Sequence, residues 1–286
     1  MANLFQRMYI GDPNKRKDLT KKAVREQSRF SLFFTIIKVR GLNLVGLNLL
    51  YSLFLIPTYF IVYFAFYHYG MGMQEGNPMT FQDVVLYIYF LFPCFLIAYP
   101  GTLGFTNVLH RWANDEHAWI SDFWTGIKKN WKQGLLVTVI NYVAIVFLIY
   151  CIWFWYSLST MTSENPTVNT IYSLGLYISF FLIGCVFVYF AVHMYVFPMM
   201  VRYKLKIKEI YKFSAILAFR NLFGTIALIF FVIAMMFFIV SVPFMQYLIP
   251  VVFISFTYLV IYVHMGWVFN RSVFLDVKDY LYGAIF

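Results

Sequence analysis

Charge is what this sequence has least of. Asp, Glu, Lys and Arg together make up 12% of its 286 residues, about half the share of a soluble globular domain. With 62% of the residues hydrophobic and 22% aromatic, a water-facing surface cannot be built, and the bilayer must be the solvent. Cysteine is also sparse. Cys94, Cys151 and Cys185 each fall inside an apolar run without a CxxC neighbour, which excludes a disulfide framework and a zinc site and leaves core filling. No Asp, Glu, Lys or Arg lies deep in any long apolar run, the nearest being Asp83, Arg202 and Arg220 at the borders. Proton- or sodium-coupled transport and intramembrane acid–base catalysis need such groups at depth, so both lose support. No G-x-S-x-G, P-loop or Rossmann fingerprint occurs, and the chain carries no nucleotide-binding or hydrolase motif of its own. It reads as a non-enzyme without cofactor or metal.

What the chain does have is long apolar runs, at about 42–67, 84–107, 135–157, 171–201, 221–240 and 244–269. Each approaches or exceeds the roughly 20 residues a helix needs to cross about 30 Å of hydrocarbon. The expected fold is all-α: a polytopic membrane bundle of about six transmembrane helices over residues 42–270, between a basic segment 1–41 and a short tail 271–286. Ten Lys or Arg precede the first run, which is too long for a signal-peptide core and is expected to stay as an anchor. Within 1–41 the patch LFFTII at 32–37 is too short to span. It either lies along the interface, as basic amphipathic segments do, or belongs to a tail leading into the first helix. The weakest division is the last, where Val242-Pro243 and Pro250 interrupt a continuous apolar stretch; a proline suits the tip of a tight helical hairpin.

The net charge of +10 would suggest a nucleic-acid partner in a soluble protein. Here the basic residues lie between apolar runs, always on alternate sides, so lipid is the expected partner and nucleic acid is not. With the N-terminus inside, all 22 Lys and Arg fall on cytoplasmic segments: ten before the first run, four in 108–134, six in 202–220 and two after 269. The opposite segments contain none, although they hold Glu75, Asp83 and Glu164. The positive-inside rule therefore predicts a multi-pass plasma-membrane protein with both termini in the cytoplasm, and a five-helix count would break the partition at Arg271 and Lys278. The two basic loops also look alike. In each, a proline (Pro100, Pro198) precedes a basic amphipathic stretch that leads to a similar tail, Lys129-Asn130-Trp131-Lys132-Gln133-Gly134 or Phe219-Arg220-Asn221-Leu222-Phe223-Gly224. This allows a parallel internal repeat.

Candidate functional residues are few. Asn48, Asn107, Asn141, His193 and His264 enter the apolar runs and are expected to bond helix to helix. His193 and His264 lack an accompanying carboxylate, which disfavours a metal. The loop His110-Arg111-Trp112-Ala113-Asn114-Asp115-Glu116-His117 lacks HExxH spacing and reads as a solvated loop. From Ser121 to Lys132 the spacing predicts a short amphipathic cytoplasmic helix. Asp122 favours its start, Phe123, Ile127 and Trp131 share one face, and Trp124, Lys128, Lys129 and Asn130 complete it. It either rests on lipid or docks a partner. Trp153 and Trp155 mark an aromatic belt or a sugar-stacking face.

Several of these stretches carry a resemblance. Gly46-Leu47-Asn48-Leu49-Leu50 through Pro57, Tyr99-Pro100-Gly101-Thr102, Glu116-His117-Ala118 and Ser121-Asp122-Phe123-Trp124 leading to Lys128-Lys129-Asn130-Trp131-Lys132-Gln133 are similar to the YesL-like family of bacterial membrane proteins. Val196-Phe197-Pro198 through Ala218-Phe219-Arg220-Asn221 is similar too, so the likeness spans roughly residues 30 to 275. Leu55-Ile56-Pro57-Thr58 departs from the family by lacking a cysteine. The resemblance implies an accessory, non-catalytic membrane protein beside a carbohydrate ABC-type uptake system, with transporter subunits as partners. Some relatives are described as oxygenase-like, for which this chain lacks an iron-binding set of histidines. The alternative is a stand-alone transporter or channel for a neutral solute.

Overall fold

A computed structural model describes residues 28–76, 80–113, 118, 120–203, 205–242 and 253–276. Among these the chain forms seven helices and no strand: α1 Arg29–Gln74, α2 Phe81–Ala113, α3 Ile120–Ser159, α4 Pro166–Arg202, α5 Ile207–Arg220, α6 Leu222–Ser241 and α7 Ile254–Asp276. Helix is the form in which an apolar segment satisfies its own backbone groups away from water. α1, α2, α3, α4 and α6 are long and apolar enough to cross a membrane, and α7 adds a shorter apolar stretch over Ile254–Phe269. The fold is thus the polytopic helical bundle that the apolar runs predict. α6 and α7 are separate helices, while the prolines expected at the turn between them lie outside the described residues.

Local chemistry sets the helix starts. Ser28 caps α1 by accepting from the Ser31 amide at 3.1 Å, Asn165 caps α4 ahead of Pro166 at its first position, and Thr80 and Asp83 bond reciprocally at the start of α2. The Ser28 cap moves the first boundary. α1 begins at Arg29, not near residue 42, and the patch at 32–37 forms its early turns, with Ile36 buried. No proline or glycine interrupts residues 29–40, so these turns join the span, and the helix extends over 46 residues with Pro57 inside it, about 69 Å at 1.5 Å per residue.

The two basic loops, alike in sequence, fold differently. In the first, the amphipathic stretch and the next span form the single helix α3; in the second, the chain breaks at Asn221 (φ −114°, ψ 37°) between α5 and α6.

α2 touches α1, α3, α4 and α7, and α7 closes back on α1 and α4, making a ring of α1, α2, α3, α4 and α7. α5 lies against α4 and α6. Burial is concentrated in the first half of α1, the second half of α2, the start of α3, the end of α4 and α7. These are the halves next to the basic segments. At the opposite end Tyr63, Phe147, Phe181 and Phe237 are each about two-thirds or more exposed, as side chains bathed in lipid should be. The bundle is therefore knotted tightly at its basic end and splayed toward the other.

Candidate functional site

The tight end is tied by a ladder of side chains between α2 and α7. Thr102, Thr106 and His110 recur every fourth residue on α2, while Tyr258 and Tyr262 do so on α7, so each set projects from one helical face. Thr106 Oγ1 meets Tyr258 Oη at 2.9 Å and His110 Nδ1 meets Tyr262 Oη at 2.7 Å. Thr106 also donates to the Thr102 carbonyl at 2.7 Å, which leaves its oxygen to accept from Tyr258. Tyr51 of α1 adds a contact to Thr102 Oγ1 at 2.9 Å. Asn48, fully buried, accepts from the Ser255 amide at 2.8 Å. That amide belongs to the first turn of α7, where N–H groups lack intrahelical partners, so α1 caps α7.

Next to the ladder lies a cavity of about 330 Å³, lined by α1, α2, α3, α4 and α7. Phe95, Tyr99, Tyr142 and Phe197 give it aromatic walls, and Thr58, Thr138, Asn141 and His193 bring polar groups into the lining. Thr58 Oγ1, Thr138 Oγ1, Asn141 Nδ2 and His193 Nδ1 are buried and have no hydrogen-bond partner among the described residues. Asn141 is oriented from outside the ring: its Oδ1 accepts from Tyr211 Oη of α5 at 2.8 Å. Burial pushes the Tyr211 hydroxyl up to about 12, so it keeps the proton it donates. This fixes the Asn141 oxygen toward α5 and leaves its NH2 without a partner among the described residues. Among the described residues no Asp, Glu, Lys or Arg lines the space.

The remaining expected residues are spread through the bundle. Asn107 donates through Nδ2 to the Asp122 carbonyl at 2.8 Å and joins α2 to α3. His264 lies apart from His193, packed against Gly224 and bonded to Arg29. Among the described residues no group of three His, Cys, Asp or Glu could hold a metal. The stretch expected as a solvated loop is helical at its start: His110–Ala113 end α2, with Trp112 buried, and residues 114–117 lie outside the described residues. One face of Trp153 is covered by Phe81, ring centroids 3.4 Å apart and nearly parallel.

The stretch 121–132 is not a separate helix but the opening turns of α3. Its expected single apolar face is divided. Phe123 is fully buried, Ile127 half-buried and Trp131 46% exposed. The face turned inward is Phe123, Gly126, Asn130, Gly134 and Val137, ending at Asn141. Asp122 pairs with Arg111 of α2, and Asn130 donates to the Gly126 carbonyl at 3.4 Å. Trp124, Lys128, Lys129 and Trp131 remain exposed. The inward face belongs to the whole of α3, which runs unbroken through Gly134 into the bundle.

Residue-by-residue reading singled out Asn141 and His193 but not Thr58, Thr138, Thr102, Thr106, Tyr51, Tyr258 or Tyr262. The i, i+4 spacing of Thr102, Thr106 and His110 opposite that of Tyr258 and Tyr262 was the available signal. Comparison with family models, with curated proteins and with solved structures finds no match in any of the three.

Proposed function

We propose that this chain binds a neutral solute inside its membrane domain and serves as a stand-alone transporter or channel for it. The observation that carries the reading is the set of buried polar groups at Thr138, Asn141 and His193, unpartnered among the described residues, around a cavity that no described Asp, Glu, Lys or Arg lines. An unmet buried polar atom costs about 1–3 kcal/mol, and a ligand that pairs with several of them recovers that cost on binding. A charged solute would meet no counter-charge in the lining. In this reading the basic end faces the cytoplasm and the membrane is the plasma membrane. The test is tracer movement of uncharged solutes through vesicles holding the purified protein. Flux above that of empty vesicles, lost in Asn141→Ala, supports the reading; equal flux in both sinks it.

A second reading, an accessory subunit of a carbohydrate ABC-type system, draws on the YesL-like resemblance and on the exposed Trp124, Lys128, Lys129 and Trp131 at the start of α3. Affinity purification from native membranes of cells grown on a glycan tests it, and recovery of no transporter subunit overturns it.

A further inference from the structure

We infer that the cavity takes a neutral amphiphile dissolved in the bilayer: a long-chain molecule with a single hydroxyl or carbonyl head group, seated head-first against Thr138 and Asn141. The inference rests on the cavity being a solute site and names the class of solute.

Two features select the head group. Thr138 and Asn141 stand three residues apart on α3, hence on one face. They are 8% and 7% exposed, line the cavity, and hold Oγ1 and Nδ2 without partners among the described residues. One hydroxyl or carbonyl oxygen is what such a pair can satisfy. Thr58 and His193 each bring one further polar atom without a partner among the described residues, and the rest of the lining is mainly apolar and aromatic, with Phe95, Ile145, Phe197 and Ile261 prominent. A polyol or sugar with more hydroxyls than these few atoms can pair would bury the remainder against carbon, at about 1–3 kcal/mol for each one left unpaired. A chain of methylenes buries the same wall favourably.

The direction of entry follows from exposure. Toward the basic end the route is closed by Leu103, Phe105 and Leu109, all fully buried, and by the Thr106–Tyr258 and His110–Tyr262 bonds. On the other side the wall merges with the outer surface: Phe95 lines the cavity yet is 38% exposed, and Ile97, Val143 and Phe147 nearby in sequence are exposed as well. A surface of that composition faces hydrocarbon, not water. The space of about 330 Å³ is small beside a whole long-chain molecule. It holds a head group and the first carbons of a chain, with the remainder in lipid.

The test is photolabelling of the purified full chain in phosphatidylcholine vesicles by a diazirine-bearing long-chain alcohol, with adducts mapped by mass spectrometry. The expected result is labelling of Phe95, Tyr142 or neighbouring cavity residues, competed by unlabelled long-chain alcohol but not by the matching alkane. Thr138→Val, which keeps the side-chain shape and the Tyr211–Asn141 bond, should lower competable labelling about fivefold, the equivalent of one hydrogen bond. Asn141→Leu serves as a second variant where its thermal transition matches that of the parent. Adducts confined to lipid-facing positions such as Phe147 and Phe180, competition by the alkane, or undiminished labelling of Thr138→Val would overturn the inference. If a water-soluble diazirine polyol labels the cavity and the long-chain alcohol does not, the amphiphile is excluded while the solute reading stands. If neither probe labels it, both fall.

Discussion

Arg29, the first residue of α1, donates from Nη1 to Nδ1 of His264 in α7 at 3.0 Å, across 235 positions of sequence. A guanidinium has only donors, so Nδ1 must be the accepting nitrogen and the imidazole proton sits on Nε2. The same guanidinium lies over the Trp267 ring, 3.9 Å from its centroid. Hydrogen bonds to charged groups contribute about 1.5–3 kcal/mol, and a cation over an indole about 0.5–2. Arg29→Ala should therefore destabilise the bundle by about 2 kcal/mol, read as a lower thermal transition in detergent. Arg29→Lys should recover only part of it, because an ammonium lacks the planar fork that bonds and stacks at once. An unchanged transition in Arg29→Ala would show that α1 and α7 are held without this contact, by the Asn48–Ser255 bond and apolar packing.

Glycines set how closely α2 and α3 approach. A Cβ on Gly104 would stand 2.7 Å from the ring of Phe123, and one on Gly126 would stand 2.5 Å from Cβ of Asn107. Phe123 is fully buried and Asn107 is bonded to α3, so neither yields easily. Gly104→Ala and Gly126→Ala should each cost about 1–3 kcal/mol through overpacking. Gly46, with nothing within 4 Å of its added Cβ, is the matched control: Gly46→Ala should be neutral or stabilising by up to about 1 kcal/mol. Parallel thermal unfolding of the three variants checks the ranking.

The same crossing explains what the sequence could and could not reveal. Apolar runs were legible because hydrocarbon leaves the backbone no other spanning form than helix. The positions of α2, α4 and α6 follow from them directly, whereas α3 starts at Ile120, well ahead of the run at about 135–157. Inward faces were not legible, because lipid and protein core are equally apolar and the contrast that marks a core face in water is missing. Phe123, Ile127 and Trp131 thus look like one stripe although only Phe123 is fully buried, with Ile127 partly buried against the same cluster and Trp131 exposed; the actual stripe, through Gly126, Gly134 and Asn141, is set by where small residues let α2 approach. Asn141 was visible as an amide in an apolar run. Thr138 was not, since a threonine in such a run commonly bonds its own helix, and its lack of a partner is a property of the assembled ring.

Arg111 and Asp122 link the end of α2 to the start of α3, with the carboxylate 15% exposed and the guanidinium 35%. Partial shielding from water should lift the pair above a fully exposed one, to a coupling of about 1 kcal/mol. A double-mutant cycle on Arg111→Ala and Asp122→Ala, followed by thermal stability, isolates this value from the loss of Asp122 at the positive end of α3. Additive effects of the two substitutions would remove the ion pair from the account of why this end is tight. A charge reversal that restores stability would strengthen it.

The sidedness of the bundle can be tested at its two most different ends. Glu164 is exposed in the connection between α3 and α4, which contains no Lys or Arg, whereas Lys208 is exposed at the start of α5 among six basic residues in 202–220. Translocating Lys and Arg is disfavoured while Asp and Glu count for little, so the partition of all 22 basic residues predicts α5 inside and the α3–α4 connection outside. In a background without Cys94, Cys151 and Cys185, Glu164→Cys should react with an impermeant thiol reagent on intact cells, and Lys208→Cys only after permeabilisation. The reverse pattern would invert the protein and put the tight, basic end outside. Reaction of both on intact cells would mean that α4 does not cross the membrane, which would detach the cavity wall at His193 and Phe197 from the bilayer and remove the basis for any solute entering it from lipid.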